Sequence, residues 1–226
     1  QKPLYALHAH NEGRQSKAMV GRLSQGDSGA YVTDAGTPGI SDPGAQLVDA
    51  CHASGLRVVP VPGASAVTAA LSVAGFTGSA FVFQGFLPST RQARQNHLAG
   101  VLSERRAVVC YEAPHRIVGL IEDIVSVLGG DRRLLIAREM TKKFETIVRD
   151  YASKMLEIVK NDSNMRKGEF VVVIEGVSEV KANEAHARQV WGIVSDYLSH
   201  KDSVKVTAEL TGVSKKLIYP WGMSDD

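Results

Sequence analysis

Glu112, His115, Arg116, Arg138, Glu139, Lys142 and Glu145 are the residues of this chain best suited to chemistry. A carboxylate or an imidazole can take a proton from a weakly acidic hydroxyl. A lysine or an arginine can stabilise the oxyanion that develops, or clamp a phosphate. Each residue also has an ordinary reading. The stretch Arg138–Glu145 ("REMTKKFE") is equally readable as a surface loop of solvated charges, and His115 as a hydrogen-bonding group at a helix start. His8 and His10 suit packing and caps. Cys51 and Cys110 fall in a predicted helix and a predicted strand, where free buried thiols are expected, and no metal-ligand spacing is present.

The elements that must position such groups are organised around Thr33–Gly44 ("TDAGTPGISDPG"). This stretch follows the strand-like run Ala30–Val32 and precedes a predicted helix from Ala45 to about Gly55. Its glycines and prolines demand tight turns, and Ser41 or Asp42 is placed to cap the helix. A second loop, Pro60–Ala66, follows the apolar strand Leu56–Val61 and leads into a helix over Ala64–Ala74. Ahead of both, Pro3–His8 reads as a strand, and Asn11 as the cap of a helix from Glu12 to Ser24. In an open parallel sheet, ligands bind beyond the carboxyl ends of the strands, where loops of this kind lie.

The β-α-β-α rhythm resumes near Ser79 and predicts a doubly wound α/β chain. Expected strands are Ala80–Phe83, Ala107–Tyr111, Leu134–Ala137 and Phe170–Ile174. Expected helices are Thr90–Ser103, Pro114–Leu128 and Ala152–Lys160. The segment Arg138–Arg149 mixes charges with Met140, Phe144 and Ile147 and has no clear period. Three sections follow: an α/β lobe over 1–78, a second over 79–177, and a helical tail over 178–226. In the tail, Val190, Trp191, Val194, Tyr197 and Leu198 recur at helical spacing. A helix opening at Asp202 or Ser203, the turn Gly212-Val213-Ser214 and a last turn over Lys215–Tyr219 resemble a helix-turn-helix. A small helical cap explains them equally well.

Composition limits the possibilities. The chain is 44% hydrophobic and 22% charged, as in globular proteins. No apolar run approaches a membrane span, and no secretory signal opens the sequence, so a cytoplasmic location is expected. The net charge of +2 selects no partner. Its distribution is more telling: the middle section carries the positive excess, with Arg91, Arg94, Arg105, Arg106, Arg116, Arg132, Arg133, Arg138, Lys142 and Lys143. That bias suits RNA phosphates without being diagnostic.

The loops at 33–44 and 60–71 ("PVPGASAVTAAL"), with "FQGFLP", "YEAPHR", "REMTKKFE" and "KGEFVVVIEG" in this order, resemble the tetrapyrrole methylase superfamily. Within it they are most similar to the branch that methylates a cytidine ribose 2′-hydroxyl in small-subunit ribosomal RNA. The resemblance runs from about Leu4 to Tyr219. It implies a two-lobed class III methyltransferase fold, with S-adenosylmethionine held in a crevice between the lobes and no metal. It also implies ribosomal RNA or the small subunit as partner, and a homodimer. The family's Gly-rich first strand-loop precedes the point where this sequence starts, so a central strand position of the first lobe is expected to be unfilled.

Carried over by motif, Gly36, Thr37, Pro38 and Ile40 are implied to line the cofactor, with Ser65 and Ala66 from the second loop. Asp34 either bonds a polar end of it or braces the loop. Tyr111 is implied to face the same crevice, closed by Lys167-Gly168-Glu169. Glu112, Arg138, Glu139 and Lys142 are the implied catalytic set, and Arg91, Arg94, Arg116 and Lys143 the implied RNA contacts. Phe83, Phe86 and Phe144 suit a core, although Phe86, beside a loop glycine, could stack on a base. Two rival functions remain open: a methylase of this fold acting on a tetrapyrrole or another small acceptor, and a non-catalytic nucleic-acid-binding protein.

Overall fold

A computed structural model describes residues 2–76, 78, 80–177 and 184–222. The chain divides into two compact units, 1–73 and 74–226.

In the first unit, helix α1 (Glu12–Leu23) packs on α2 (Ala45–Ala53), and α3 (Ala66–Ala74) follows the second loop. The expected strands at 3–8, 30–32 and 56–61 are extended segments without ladder hydrogen bonds, so the described part of this unit contains no strand. Leu4 is 95% exposed and Val61 85%. Their apolar runs declare a tendency to be buried, whereas a strand exists only where a neighbouring backbone completes its hydrogen bonds. Asn11 also differs from expectation. Its side chain does not cap α1; its Oδ1 accepts from the His8 amide at 2.8 Å and its Nδ2 donates to the Ala6 carbonyl at 3.0 Å. It ties down the incoming chain instead.

The second unit is built on a five-stranded sheet in the order β1-β2-β5-β3-β4. The strands are β1 (Phe81–Phe86), β2 (Ala107–Glu112), β3 (Arg133–Arg138), β4 (Thr146–Tyr151) and β5 (Phe170–Ile174). β1, β2 and β3 run parallel, while β5 lies between β2 and β3 and opposes both, and β4 opposes β3 at one edge. The unperiodic stretch after Arg138 is therefore a hairpin, and the alternating exposure along β4 is that of an edge strand. β5 is buried along its whole length, as its unbroken apolar run requires.

One sheet face, with Val108, Cys110, Leu134, Ile136, Phe170, Val172 and Ile174, is covered by helices α4 (Arg91–Ala99), α5 (Ile117–Leu128) and α6 (Ala152–Asn161). α5 delivers Ile117, Leu120, Ile121 and Ile124 at helical spacing, all fully buried. Each such side chain contributes roughly 1.5–3 kcal/mol. α5 starts at Ile117, after a turn, so Pro114 precedes it. α4 ends at Ala99, short of the expected Ser103.

The tail comprises α7 (Glu184–Val194), α8 (His200–Thr211) and α9 (Lys215–Ile218) around Ala187, Val204, Val213 and Ile218. Ser199 caps α8, and Gly212 closes it in the left-handed conformation. α9 is a single turn, about 6 Å long at 1.5 Å per residue. It is too short to serve as a recognition helix in a major groove.

Candidate active site

The carboxyl ends of β1, β2 and β3 lie along one edge of the sheet, together with the starts of β5 and β4. Register fixes this arrangement: Glu112 pairs with Phe170, Phe170 with Arg138, and Arg138 with Thr146. Tyr111, Glu112, Arg138, Glu139, Lys142 and the Lys167–Glu169 segment are thereby gathered at one end, which is the ligand-binding end of an α/β sheet.

Glu139, Lys142 and Glu169 form the charged centre of that edge. The Lys142 ammonium donates to Glu139 Oε1 at 2.9 Å and to Glu169 Oε2 at 2.8 Å. Glu139 Oε1 also accepts from the Glu169 amide at 2.9 Å. Bonds to Glu169 and Glu139 raise the Lys142 pKa, so the ammonium stays charged at neutral pH. Lys142 and the Glu169 amide in turn lower that of Glu139, which stays ionised. The loop that carries them is strained: Glu139 has φ +52° and Thr141 φ +65°. A β-branched residue in this region is rare, and such strain clusters at functional sites. Gly168, with φ +87°, lies against it; a Cβ there would sit 2.4 Å from Glu139 Cγ.

Glu112 and Arg138 are buried just behind this centre. Glu112 Oε1 accepts from the Ala113 amide at 2.8 Å and lies 3.1 Å from Arg116 Nε. Its Oε2 is buried and has no hydrogen-bond partner among the described residues. Burial raises its pKa, against the opposing pull of the Ala113 amide, Arg116 and Arg94. Burial likewise pushes the Cys110 thiol up to about 12, which leaves it inert at neutral pH. Arg138 donates from Nε to the Lys167 carbonyl at 2.6 Å and from Nη1 to the Phe144 carbonyl at 2.9 Å. It braces the hairpin and the entry to β5. Tyr111 stacks edge-on against Phe83 and Phe86, with centroids at 5.0 and 5.7 Å.

In the first unit, the two special loops meet. Thr37 Oγ1 donates to the Ala64 carbonyl at 3.0 Å, and Thr33 Oγ1 to the Gly36 carbonyl at 3.0 Å. Gly36 and Gly39 have φ of +75° and +77°, and a Cβ on Gly39 would meet nothing within 4 Å. Bare backbone with open space beside it suits a ligand held through main-chain groups. Asp34, Pro38, Ile40 and Ser65 lie along these two loops, and Ala66 opens α3.

A family model described as "Tetrapyrrole (Corrin/Porphyrin) Methylases" matches residues 2–155. The chain belongs to the tetrapyrrole methylase family. It is 42% identical over 220 residues to the "Ribosomal RNA small subunit methyltransferase I" of Xylella fastidiosa (strain Temecula1), covering 97% of this chain and 81% of that protein. It is 40% identical over 224 residues to the protein of the same name from Escherichia coli O157:H7, covering 97% and 77%. Among solved structures it is similar to the methyltransferase CobJ, with TM-score 0.55 and 19% identity over 74% of this chain and 72% of that one. A cobalt precorrin-4 methyltransferase, CbiF, shares the fold at TM-score 0.51 and 17% identity, over 77% and 76%. The fold of this methylase is thus the α/β class III methyltransferase fold.

The implied RNA contacts of the methylase have mixed settings. Arg94 is only 6% exposed, paired with Asp123 at 2.6 Å. Asp123, fully buried in α5, also accepts from Gln95 at 2.8 Å and from Arg91 at 3.1 Å. Arg116 Nη2 donates to the Leu87 and Pro88 carbonyls at 2.7 and 3.0 Å, holding the loop after β1. These geometries make Arg94 and Arg116 internal braces. Arg91 and Lys143 reach solvent.

Two residues of these segments lie outside the expected set. Glu12 Oε1 accepts from the Gly44 amide at 2.7 Å and from the Gln46 amide at 3.0 Å. It caps α2 in place of Ser41 or Asp42, from a position on α1. Phe144, read from sequence as core, is 61% exposed. No local pattern announces either, because both depend on how distant segments meet.

Proposed function

We propose that this methylase transfers a methyl group from S-adenosylmethionine to the 2′-hydroxyl of a cytidine ribose in small-subunit ribosomal RNA. The observation that carries the reading is its 40–42% identity, over 97% of its length, to methyltransferases named for that RNA. The family resemblance supports a homodimer working in the cytoplasm on ribosomal RNA or the small subunit.

The cofactor supplies an electrophilic methyl group on a sulfonium. The loops joined by the Thr37–Ala64 bond are the proposed holders, through the backbone of Gly36–Ile40 with Ser65 and Ala66. At the sheet edge of the second unit, Lys142 is the proposed contact to the ribose oxygen. Its permanent charge stabilises the negative character that oxygen gains as the proton leaves. Glu139 holds the ammonium and is the proposed proton acceptor. A hydroxyl becomes far more acidic as its bond to the methyl forms, so an ionised carboxylate of low basicity suffices. In the transfer that the bound cofactor would supply, the ribose oxygen would take the methyl group from the sulfonium, leaving a neutral thioether, and its proton would pass to the Glu139 carboxylate. Glu112 and Arg138 act through the backbone they hold.

The test is incubation of the full chain with S-adenosylmethionine carrying a labelled methyl group and small-subunit ribosomal RNA. Label should enter the RNA and survive as an alkali-resistant dinucleotide, since a 2′-O-methyl group blocks alkaline cleavage at that position. Label in an alkali-labile product, or transfer only to a tetrapyrrole, would contradict the acceptor assignment. RNA binding without any cofactor binding would point to a non-catalytic protein.

A further inference from the structure

We propose that Phe144 is a stacking platform for an unpaired nucleobase of the RNA, with Lys143 as its phosphate contact. This inference rests on the ribosomal RNA reading above and extends the same sheet edge.

Phe144 sits on the strained hairpin between β3 and β4, one residue from Glu145 and two from Lys142. The residue is 61% exposed, yet its backbone is held firmly. The Phe144 carbonyl accepts from Arg138 Nη1 at 2.9 Å and from Thr146 Oγ1 at 3.1 Å, and Arg138 is itself buried. Further bonds stiffen the loop: the Thr141 amide donates to Glu145 Oε2 at 2.6 Å, and the Glu145 amide to the Lys142 carbonyl at 3.1 Å. The loop therefore presents a large apolar ring to water on a preorganised backbone, which lowers the entropy lost when a partner binds.

The surroundings select the partner. The Lys143 ammonium lies 5.6 Å from the ring centroid, and Lys142 precedes it in the chain. An exposed aromatic ring with a lysine ammonium beside it matches the two surfaces of a single-stranded nucleotide, its flat base and its phosphate. A protein interface core tends instead to be depleted of lysine. Stacking is sequence-tolerant, so the contact would splay a neighbouring base and seat the ribose rather than read the sequence.

The experiment uses the full chain and a fluorescein-labelled single-stranded RNA dodecamer containing cytidines, titrated at several salt concentrations. F144A should weaken binding roughly 5- to 150-fold, whereas F144W should retain it. F144L keeps the apolar bulk but not the π face, and should lose nearly as much as F144A. F144A should leave the salt slope unchanged, while K143A should reduce it by about 0.7. Circular dichroism and sedimentation confirm fold and assembly for each variant. Unchanged affinity in F144A, or F144L indistinguishable from wild type, overturns the stacking role. Loss of affinity that accompanies a change in sedimentation overturns it too, since the ring then belongs to a protein interface. If F144A binds normally while the wild type methylates ribosomal RNA, only this inference falls. If the wild type neither binds nor methylates RNA, the underlying reading falls with it.

Discussion

Glu12→Ala is the most informative single perturbation of the first unit. One carboxylate oxygen of Glu12 accepts the Gly44 and Gln46 amides at 2.7 and 3.0 Å, which fixes the end of the 33–44 loop and the start of α2. α2 has nine residues, too few for a helix to persist unaided. Hydrogen bonds to a charged group contribute about 1.5–3 kcal/mol each, and an anion at a helix N-terminus about 0.3–2 kcal/mol. Glu12 is largely buried, so part of this gain offsets its desolvation, and water can reach the amides once the side chain is gone. The net loss is then about 2–4 kcal/mol, a fall in melting temperature of roughly 5–15 °C for a chain of this size. Glu12→Gln keeps an acceptor oxygen and should lose about a third of that. Thermal unfolding by circular dichroism measures the stability, and calorimetric titration of S-adenosylmethionine measures the loop. Cofactor affinity should fall at least about tenfold in Glu12→Ala, because a loosened loop must be reordered on binding. A melting temperature within about 1 °C of wild type, with unchanged cofactor affinity, would refute the reasoning.

Asp123→Ala strands the buried Arg94 charge and should cost about 3–5 kcal/mol; the double replacement Arg94→Met with Asp123→Leu should recover most of it in the same melts. Gly168→Ala puts a Cβ into Glu139 and forces a strained backbone, so kcat should drop at least about tenfold with S-adenosylmethionine affinity unchanged; wild-type kcat would show that Glu139 and Lys142 do not need this geometry. Gly39→Val strains the loop proposed to hold the cofactor by about 1–3 kcal/mol and should weaken cofactor binding, and unaltered affinity would dissociate the loop from the cofactor. Glu112 has a folded-state pKa raised mainly by burial. Its contribution to stability is therefore complete below the ordinary value of about 4.3 and is lost as pH rises through the raised one. Wild-type stability relative to Glu112→Gln should accordingly decline with rising pH across the weakly acidic range, and parallel pH profiles would contradict that assignment.

The strands of the second unit were legible because β5 is an unbroken apolar run and α5 repeats its apolar residues at helical spacing. Those are local properties, set by the side chains themselves. The six motifs, in order, were equally legible, and with them the family. The hairpin after Arg138 was not, since its strand faces solvent along one edge and its charges obscure any alternation. Nor was it legible that the first-unit segments at 3–8, 30–32 and 56–61 carry no ladder bonds, because a strand needs a partner backbone that its own residues do not specify.

Residue types alone could nominate Glu112, Arg94, Arg116, Arg138, Glu139 and Lys142 as functional, without ranking them. Only the tertiary structure separated them. It buried Arg94 against Asp123 and turned Arg116 and Arg138 inward onto carbonyls. It left Lys142 bridging two carboxylates at the sheet edge, and it turned Phe144 outward. The physical reason is that a charge's role depends on its solvation and its partners. Some partners are close in the chain, as Glu139 is to Lys142, but the deciding ones come from segments 27 to 34 residues away, as in the Lys142–Glu169 and Glu12–Gln46 bonds, and no local pattern encodes those.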